Sequence, residues 1–275
     1  MRLVLPDLSA RPLVMGIVNV TPDSFSDGGR LSDPDAALAH ARALLAAGAD
    51  TLDIGGESTR PGADPVPEAE ELQRTIPLIR AIRQESAAPL SIDTVKPGVA
   101  RAAIAAGADI WNDVMALQAP GAPDTAAELG CTVALMHMRG EPRTMQDQPR
   151  YDDVVAEVRD FLAARAEAAE AAGVERANIW LDPGIGFGKT TAHNLALIAG
   201  LTELCALGYP ILFGASRKRF IRALDPTAVD TGDRLGGSIA AAIAAAGNGA
   251  AMVRVHDVRE TAQALRVWRA IRQGG

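Results

Sequence analysis

Short apolar runs alternate with longer, alanine-rich helical segments along most of the chain. Runs of this length are typical of buried strands, and most follow a helix-favouring stretch that ends in glycine. Glycine is the usual left-handed residue after a helix, so it marks helix-to-strand junctions in AAGAD at 46–50 and 105–109, AAGV at 171–174 and AAGNGAA at 245–251. The pattern predicts about eight strands, at residues 13–18, 50–54, 89–93, 109–113, 132–136, 178–182, 210–214 and 250–255.

Eight strand–helix units in a chain of 275 residues favour a closed (β/α)8 barrel over an open doubly wound sheet. The first helix should begin with Asp33 as its N-cap and Pro34 at its first position. No GxGxxG follows the first strand, and the glycine-rich sequence at 182–189 lacks P-loop spacing. We therefore expect one α/β domain, a TIM barrel over residues 1–275 with a short lead-in at 1–12.

Charge and cysteine content narrow the class of protein. The net charge of −7 provides no basic surface for nucleic acid or anionic membranes, so we expect neither as a partner. The longest run of small apolar residues is interrupted by Gly and Asn, and no signal-peptide core is found. Cys131 and Cys205 lie in apolar surroundings and are interpreted as buried free thiols, which fit a reducing compartment. A cytoplasmic location follows from these observations.

Polar residues follow nearly every predicted strand. The active sites of (β/α)8 barrels lie at the carboxyl ends of the strands. A single aspartate there is more often a helix cap than a catalyst, but several together indicate a site, because buried charges need partners. The polar strand-end residues are Asn19, Asp53, Asp93, Asn112, Asp113, His137, Asp182, Ser216, Lys218, Arg254 and His256.

The residue types predict two kinds of binding surface. Asp93 and Asp182 interrupt apolar strands and could accept hydrogen bonds from an amino-bearing heterocycle, with Asn112 adding a polar contact. A cationic half of the rim suits phosphate or pyrophosphate, and the helix opened by GASRKRF would attract an anion. We expect an acidic floor and a basic rim, the rim being formed by Arg60, Lys218, Arg254 and His256.

Three questions stay open at this stage. His137 either contacts the ligand or packs in the interior, and Lys189 either reaches the site or is solvated. The sequence has no HExxH, no CxxC and no histidine pair at metal-ligand spacing. A Mg²⁺ ion held mostly by substrate phosphates and one protein oxygen would leave no stronger signal than this.

Taken in order, these segments resemble the dihydropteroate synthase family, and the resemblance covers nearly the whole chain. It implies condensation of 6-hydroxymethyl-7,8-dihydropterin diphosphate with 4-aminobenzoate to give 7,8-dihydropteroate and pyrophosphate in folate synthesis. Sulfonamides compete with 4-aminobenzoate in that family. The matching segments are NVTPDSFSDGG, DIGGESTRPGA, SIDT, NDV, LMHMRGEPRTMQ, LDPGIGFGK, GASRKRF and RVHDV.

The resemblance also implies residue roles. The pterin would lie against Asp93, Asn112, Asp182, Gly214 and Lys218, with Met136 and Phe187 as walls. Pyrophosphate and Mg²⁺ would lie near Asn19, Arg60, Arg254 and His256, with Asn19 as the metal ligand. The 4-aminobenzoate pocket would use Phe25, Thr59, Pro61, Ser216 and Lys218. The family also implies a homodimer, and a loop, TPDSFSDGG, that closes with GESTRPG over the substrates.

We hypothesise an SN1-like reaction. Asp93 and Asp182 would stabilise the developing cation, while Arg254, His256 and Mg²⁺ would stabilise the leaving anion, with Lys218 as the remaining catalytic residue. The alternatives are a pterin-binding paralogue without activity and a methyltetrahydrofolate-dependent methyltransferase domain. One departure from some relatives, GDRLGGSIAAA where they have a GTA-like sequence, lies in a helix-side segment without an assigned role.

Overall fold

A computed structural model describes residues 11–20, 34–58, 64–140 and 144–274. Within these ranges, strands and helices alternate along the chain. The strands are β1 (Leu13–Asn19), β2 (Thr51–Gly55), β3 (Leu90–Asp93), β4 (Ile110–Asp113), β5 (Thr132–Met136), β6 (Ile179–Asp182), β7 (Leu212–Phe213) and β8 (Met252–Val255). The helices are α1 (Pro34–Ala47), α2 (Glu68–Glu85), α3 (Pro97–Ala106), α4 (Ala122–Leu129), α5 (Val154–Ala171), α6 (Thr191–Ala199), α7 (Leu201–Cys205), α8 (Arg219–Leu224), α9 (Leu235–Gly247) and α10 (Val258–Gln273).

The eight strands form one parallel sheet that closes on itself. Their order is β6-β5-β4-β3-β2-β1-β8-β7, and a single bridge between Leu181 and Ile211 joins the two ends. The (β/α)8 barrel is therefore confirmed. The predicted strands match those observed within one or two residues, except that β7 is shorter than 210–214, because Pro210 has no N–H group to donate to a neighbouring strand.

The recurring AAGAD sequences have a common structural role. Gly48 and Gly107 follow α1 and α3 with positive φ, as predicted for helix stops. The aspartate two residues later then caps the strand before it in the sheet. Asp50 accepts the N–H of Val14 at 2.8 Å, and Asp109 accepts the N–H of Leu90 at 2.9 Å.

Each of these aspartates also binds an arginine. Arg11 donates to both carboxylate oxygens of Asp50, at 2.7 and 2.9 Å. Arg83 donates to Asp109 at 2.6 Å and also to the carbonyl of Gly107. The amino end of the barrel is thus fastened by charged hydrogen bonds, and the opposite end is left for binding.

The barrel interior changes from apolar to polar along its axis. Its amino-terminal layer is an apolar cluster of Leu13, Met15, Ile110, Ala134, Trp180, Leu212 and Met252. Side chains two residues apart on a strand face the same side, so the next inward positions lie toward the carboxyl ends. Those positions include Asp53, Asp93, Asn112, Met136, Asp182, Gly214 and Arg254, and on β1 Asn19 lies one step beyond Ile17.

Two remaining predictions concern helix starts and cysteines. α1 begins at Pro34 as predicted, whereas Asp33 lies outside the described residues. Cys131 is a buried free thiol, but Cys205 is partly exposed, which corrects its predicted burial. Its side chain lies at the end of a short helix, beside the carbonyl of Asn248. Within the described ranges, no helix has the length and apolar character needed to span a membrane.

The contribution of the Asp109 cap to the free energy of unfolding should be measurable. We expect Asp109→Ala to lower the free energy of unfolding by about 2 kcal/mol, because it leaves the Leu90 N–H without its acceptor and removes the carboxylate from among the acceptors of Arg83. Urea denaturation measures the change. Asp160→Ala is the matched control, because Asp160 is exposed and forms a surface ion pair with its neighbour Arg159 on α5. Equal unfolding free energies for the two variants would contradict the assigned role.

Candidate active site

Arg254 lies at the centre of the polar layer and is shared by two carboxylates. Its Nε donates to Oδ2 of Asp53 at 2.5 Å, and its Nη2 donates to Oδ2 of Asp93 at 2.8 Å. Burial opposes the charged guanidinium, but the attraction of Asp53 and Asp93 outweighs it and raises the pKa of Arg254. In this structure Arg254 is thus paired with carboxylates, and its predicted contact with an anion at the rim stays a prediction. Arg254 belongs to the floor, because buried carboxylates need a cation.

One guanidinium does not satisfy both carboxylates. Oδ1 of Asp53 and Oδ1 of Asp93 are buried and have no hydrogen-bond partner in the part of the chain that the structure describes. Burial raises the pKa of Asp93 to about 7, while Arg254 opposes the shift and Asp53 adds to it. The floor therefore has more hydrogen-bond acceptors than donors, an arrangement suited to a ligand rich in N–H groups.

Asp182 faces the same space from β6. Its Oδ1 accepts the N–H of Gly184 at 2.7 Å, which fixes the carboxylate at the end of its strand. Burial raises its pKa to about 6, against the opposing effects of this hydrogen bond, Lys218 and Arg254. A Cβ atom on Gly214 would lie 3.9 Å from Oδ2 of Asp182 and 3.8 Å from Cβ of Arg254, so glycine keeps the floor open between them.

Apolar side chains form the walls above this floor. Met136 and Phe187 pack with three further apolar residues in a small buried cluster. The Nζ atom of Lys218 lies 4.0 Å from the centre of the Phe187 ring, a cation–π contact. The space between the floor and these walls opens to solvent. Its lining consists of Asp93, Asn112, Val114, Met136, Asp182, Gly184, Phe187, Gly214, Lys218 and Arg254.

Ser216 and His256 lie beside this cavity and bind each other. Their Oγ and Nδ1 atoms are 3.0 Å apart, and the backbone N–H of His256 donates to the same Oγ at 3.2 Å. Burial lowers the pKa of His256 to about 3, and Arg217 and Arg254 add to the shift. His256 is therefore neutral at physiological pH, which corrects its predicted place in a cationic rim. It can still donate or accept a hydrogen bond.

Asn19 lies where the predicted metal contact would be. A Cβ atom on Gly55 would lie 3.4 Å from Oδ1 of Asn19 and 3.9 Å from Oδ2 of Asp93, so both side chains lie beside this glycine. Among residues 11–20, 34–58, 64–140 and 144–274, no cluster of three His, Cys, Asp or Glu side chains could hold a metal ion. An amide oxygen beside a carboxylate fits Mg²⁺, an ion that takes oxygen ligands and commonly shares them with substrate phosphates.

The structure answers the open question about Lys189. Its Nζ is buried and lies 2.9 Å from the carbonyls of Gly184 and Phe187 and 2.9 Å from Nδ1 of His137. Burial lowers the pKa of Lys189 to about 7. Lys189 is thus neither solvated nor part of the cavity lining. It fastens the loop after β6 to the end of β5.

His137 has a matching structural role. Its ring packs edge-on against Phe161, with centroids 4.9 Å apart. Burial lowers its pKa to about 3, and Lys189 adds to the shift, so Nδ1 accepts from the lysine. A side chain on Gly184 would collide with the carbonyl of His137, at 1.9 Å, which shows how closely the loop is seated. The packing interpretation of His137 is the one that the structure supports.

Sequence reasoning missed the importance of Asp53. Asp53 was recognised only as a strand end, yet it binds both Arg254 and, at 3.2 Å, Nδ2 of Asn112. Its position two residues before the end of β2 could have placed it on the inward face. Asp113 instead accepts the N–H groups of Met115 and Leu117 and ends β4. The predicted contacts Phe25, Thr59, Arg60 and Pro61, and most of both closing loops, lie outside the described residues.

Comparisons with known proteins identify the family that this chain is similar to. A family model described as pterin binding enzyme matches residues 15–256. The dihydropteroate synthase of Escherichia coli (strain K12) is 50% identical over 261 residues, covering 95% of this chain and 92% of its own. A Xanthomonas albilineans dihydropteroate synthase structure with 4-aminobenzoic acid has a TM-score of 0.90 and 55% identity, covering 95% of this chain and 93% of its own. Another from that organism, in complex with 7,8-dihydropteroate, has a TM-score of 0.86 and 51% identity, covering 95% and 94%.

The raised pKa of Asp182 predicts a stability gain on its replacement. The carboxyl group titrates near 3.8 in the unfolded chain and near 6 in the folded one, so the folded state binds more protons between these pH values. Wild-type stability therefore falls as pH rises through this window. We expect Asp182→Asn, which keeps an acceptor for Gly184, to gain roughly 2 to 3 kcal/mol relative to wild type between about pH 3 and pH 8.

Chemical denaturation at several pH values measures this difference, with Asp160→Asn as the matched substitution at an exposed aspartate. The same variant should lose activity, because the gain comes from removing a buried charge that the site uses. A difference between Asp182→Asn and wild type that does not vary with pH would overturn the assigned electrostatics.

Proposed function

This chain belongs to the dihydropteroate synthases of the pterin-binding enzyme family, and we propose that its strand-end cavity holds the pterin during the synthase reaction. The enzyme transfers the 7,8-dihydropterin-6-ylmethyl group from its diphosphate to 4-aminobenzoate, giving 7,8-dihydropteroate and pyrophosphate. The observation that carries the placement is the acceptor-rich floor, where Asp93 and Asp182 line the cavity and Oδ1 of Asp93 has no hydrogen-bond partner among the described residues. The non-catalytic and methyltransferase alternatives have no comparable support.

The pterin ring matches the floor and the walls of the cavity. Its amino group and ring N–H groups are donors, which suit the carboxylates of Asp93 and Asp182. Met136 and Phe187 provide apolar surface for its two faces, and Asn112 adds an amide at the edge. Donation from the ligand would satisfy the unpaired oxygen of Asp93 and favour its ionised form, lowering a pKa that burial raises.

The same charges favour an SN1-like reaction. Loss of pyrophosphate from the CH2 group leaves a cation that spreads into the pterin ring. Asp93 and Asp182 both line the cavity, so in their ionised form they would stabilise that positive charge, and their positions are set before the reaction begins. The arylamine of 4-aminobenzoate is nucleophilic when neutral, so it needs no strong base. In agreement with this, His256 is neutral and hydrogen-bonded rather than poised as a cationic acid.

The departing pyrophosphate would leave toward the β1 and β8 side of the rim. Asn19 and His256 offer hydrogen bonds there, and Arg254 could exchange part of its carboxylate contact for phosphate oxygens. Lys218 lies at the junction, over the Phe187 ring, where it could contact both substrates. Arg60 is proposed for pyrophosphate, and Phe25, Thr59, Pro61 and Ser216 for 4-aminobenzoate.

We propose that Mg²⁺ binds the oxygen of Asn19, which lies beside Gly55 on the neighbouring strand. When bound, the ion would neutralise the charge of the diphosphate and assist its departure. Asn19 supplies a single neutral oxygen, so the remaining ligands would come from phosphate and water. The protein's own part is to keep that oxygen at the end of β1, beside the pterin floor.

A homodimer and a cytoplasmic location are further proposals. Val267 and Ile271, one turn apart on α10, are 55% and 73% exposed, and such apolar surface suits a second copy of the chain. The free cysteines fit a reducing compartment.

Omission of each component tests the function. We expect pyrophosphate release coupled to dihydropteroate formation when dihydropterin diphosphate, 4-aminobenzoate and Mg²⁺ are all present. Omitting either substrate should abolish product, and removing Mg²⁺ with a chelator should lower the rate until Mg²⁺ is restored. Tight binding of the diphosphate without product would instead identify a pterin-binding protein without synthase activity.

A further inference from the structure

The residue between Ser216 and Lys218 has an unfavourable backbone conformation. Arg217 has φ of 58°, in the left-handed region that residues with a side chain rarely adopt. Such residues cluster at functional sites and persist only where surrounding contacts hold them. This conformation directs the two neighbours to different partners, with Ser216 on His256 and Lys218 on the Phe187 ring. The contacts that hold Arg217 in this conformation therefore set the positions of Ser216 and Lys218.

The backbone N–H and carbonyl of Arg217 are both hydrogen-bonded to one segment later in the sequence. Its N–H donates to Oγ of Ser238 at 2.8 Å, and its carbonyl accepts from Nη1 of Arg234 at 3.0 Å. Ser238 in turn donates its hydroxyl proton to the carbonyl of Arg234 at 2.7 Å. Arg234 and Ser238, which we call the brace, thus form a closed set of hydrogen bonds around a single residue.

The brace is itself fixed in place. Arg234 and Ser238 are only 8% and 4% exposed, so their hydrogen bonds are shielded from water. The guanidinium of Arg234 also donates to the carbonyl of Val229 at 2.9 Å. This planar group holds two carbonyls in fixed directions, which a lysine could not reproduce. The brace lies in GDRLGGSIAAA, the segment to which the sequence assigned no role.

A third contact holds the side chain of Arg217. Its Nε and Nη2 atoms donate to the two carboxylate oxygens of Asp257, at 3.0 and 2.6 Å. Asp257 directly follows His256, the partner of Ser216. The turn after β7 is therefore tied to the end of β8 by two adjacent contacts, and to α9 by the brace.

We propose that Arg234 and Ser238 are positioning residues for the synthase reaction. By holding the Arg217 peptide in its left-handed conformation, they place the amino group of Lys218 at the cavity and the hydroxyl of Ser216 on His256. Neither brace residue lines the main cavity, so each acts through its neighbours. The catalytic consequence of this inference rests on the proposed function. The restraint on Arg217 does not depend on that function.

Ser238→Ala tests the brace, because it removes the acceptor of the Arg217 N–H and leaves that group buried without a partner. In the enzyme without substrates, we expect hydrogen exchange of the peptide covering 214–221 to become at least about tenfold faster. With both substrates, kcat/KM for dihydropterin diphosphate should fall about ten- to a hundredfold, since small displacements of a contact group cost this much.

Ser238→Thr is the conservative variant and should restore both values, because threonine keeps the hydroxyl and makes the same bond to the carbonyl four residues earlier. Asp233→Ala is the matched control. It lies in the same segment, but its carboxylate accepts from the N–H of Asp230 and not from Arg217, so both measurements should stay at wild-type values. Arg234→Lys should reproduce the effect of Ser238→Ala and serves if that variant does not fold.

Two results would overturn the proposal. Unchanged exchange at 214–221 in folded Ser238→Ala would mean that the brace does not restrain Arg217. Faster exchange with kcat/KM within about twofold of wild type would mean that Lys218 and Ser216 do not depend on it. A wild-type enzyme that forms no dihydropteroate would refute the proposed function instead, and the exchange comparison would still decide whether the brace restrains the turn.

Discussion

The site is organised by one guanidinium shared between two buried carboxylates. Arg254 of β8 reaches Asp53 and Asp93 on β2 and β3, across the barrel interior. Without it, two charges would be buried without compensation. With Arg254 in place, the two carboxylates still carry more negative charge than one guanidinium can balance. Among the described residues, their Oδ1 atoms have no hydrogen-bond partner, and burial raises the pKa of Asp93. A floor of this kind lowers the stability of the unliganded protein. It favours the binding of a ligand that has many hydrogen-bond donors and develops positive charge.

The barrel supports this floor from below and from the side. Beneath it lies the apolar layer around Trp180 and Met15, which keeps the polar residues at the carboxyl end of the strands. Beside it, Lys189 fastens the loop that carries Phe187. The cost of buried charge is thus offset by packing and by hydrogen bonds elsewhere, a common division between stability and activity.

Much of the fold follows from local sequence. Strand positions are set by apolar runs and by glycine stops such as Gly107, which are local signals. The inward acids Asp93 and Asp182 are visible because they interrupt those runs. The pairing of Arg254 is not visible, because its partners lie 161 and 201 residues away in the chain. The charge states of His256 and Lys189 depend on burial, which no local pattern determines.

The most direct test of this account is the turnover of Asp93→Asn, measured as pyrophosphate release with both substrates and Mg²⁺. The substitution keeps the shape of the side chain and removes its negative charge. If Asp93 stabilises the developing cation, kcat should fall by about a hundred- to a thousandfold while circular dichroism shows an intact fold. Near-normal turnover by a folded Asp93→Asn enzyme would contradict the central role of the buried carboxylates.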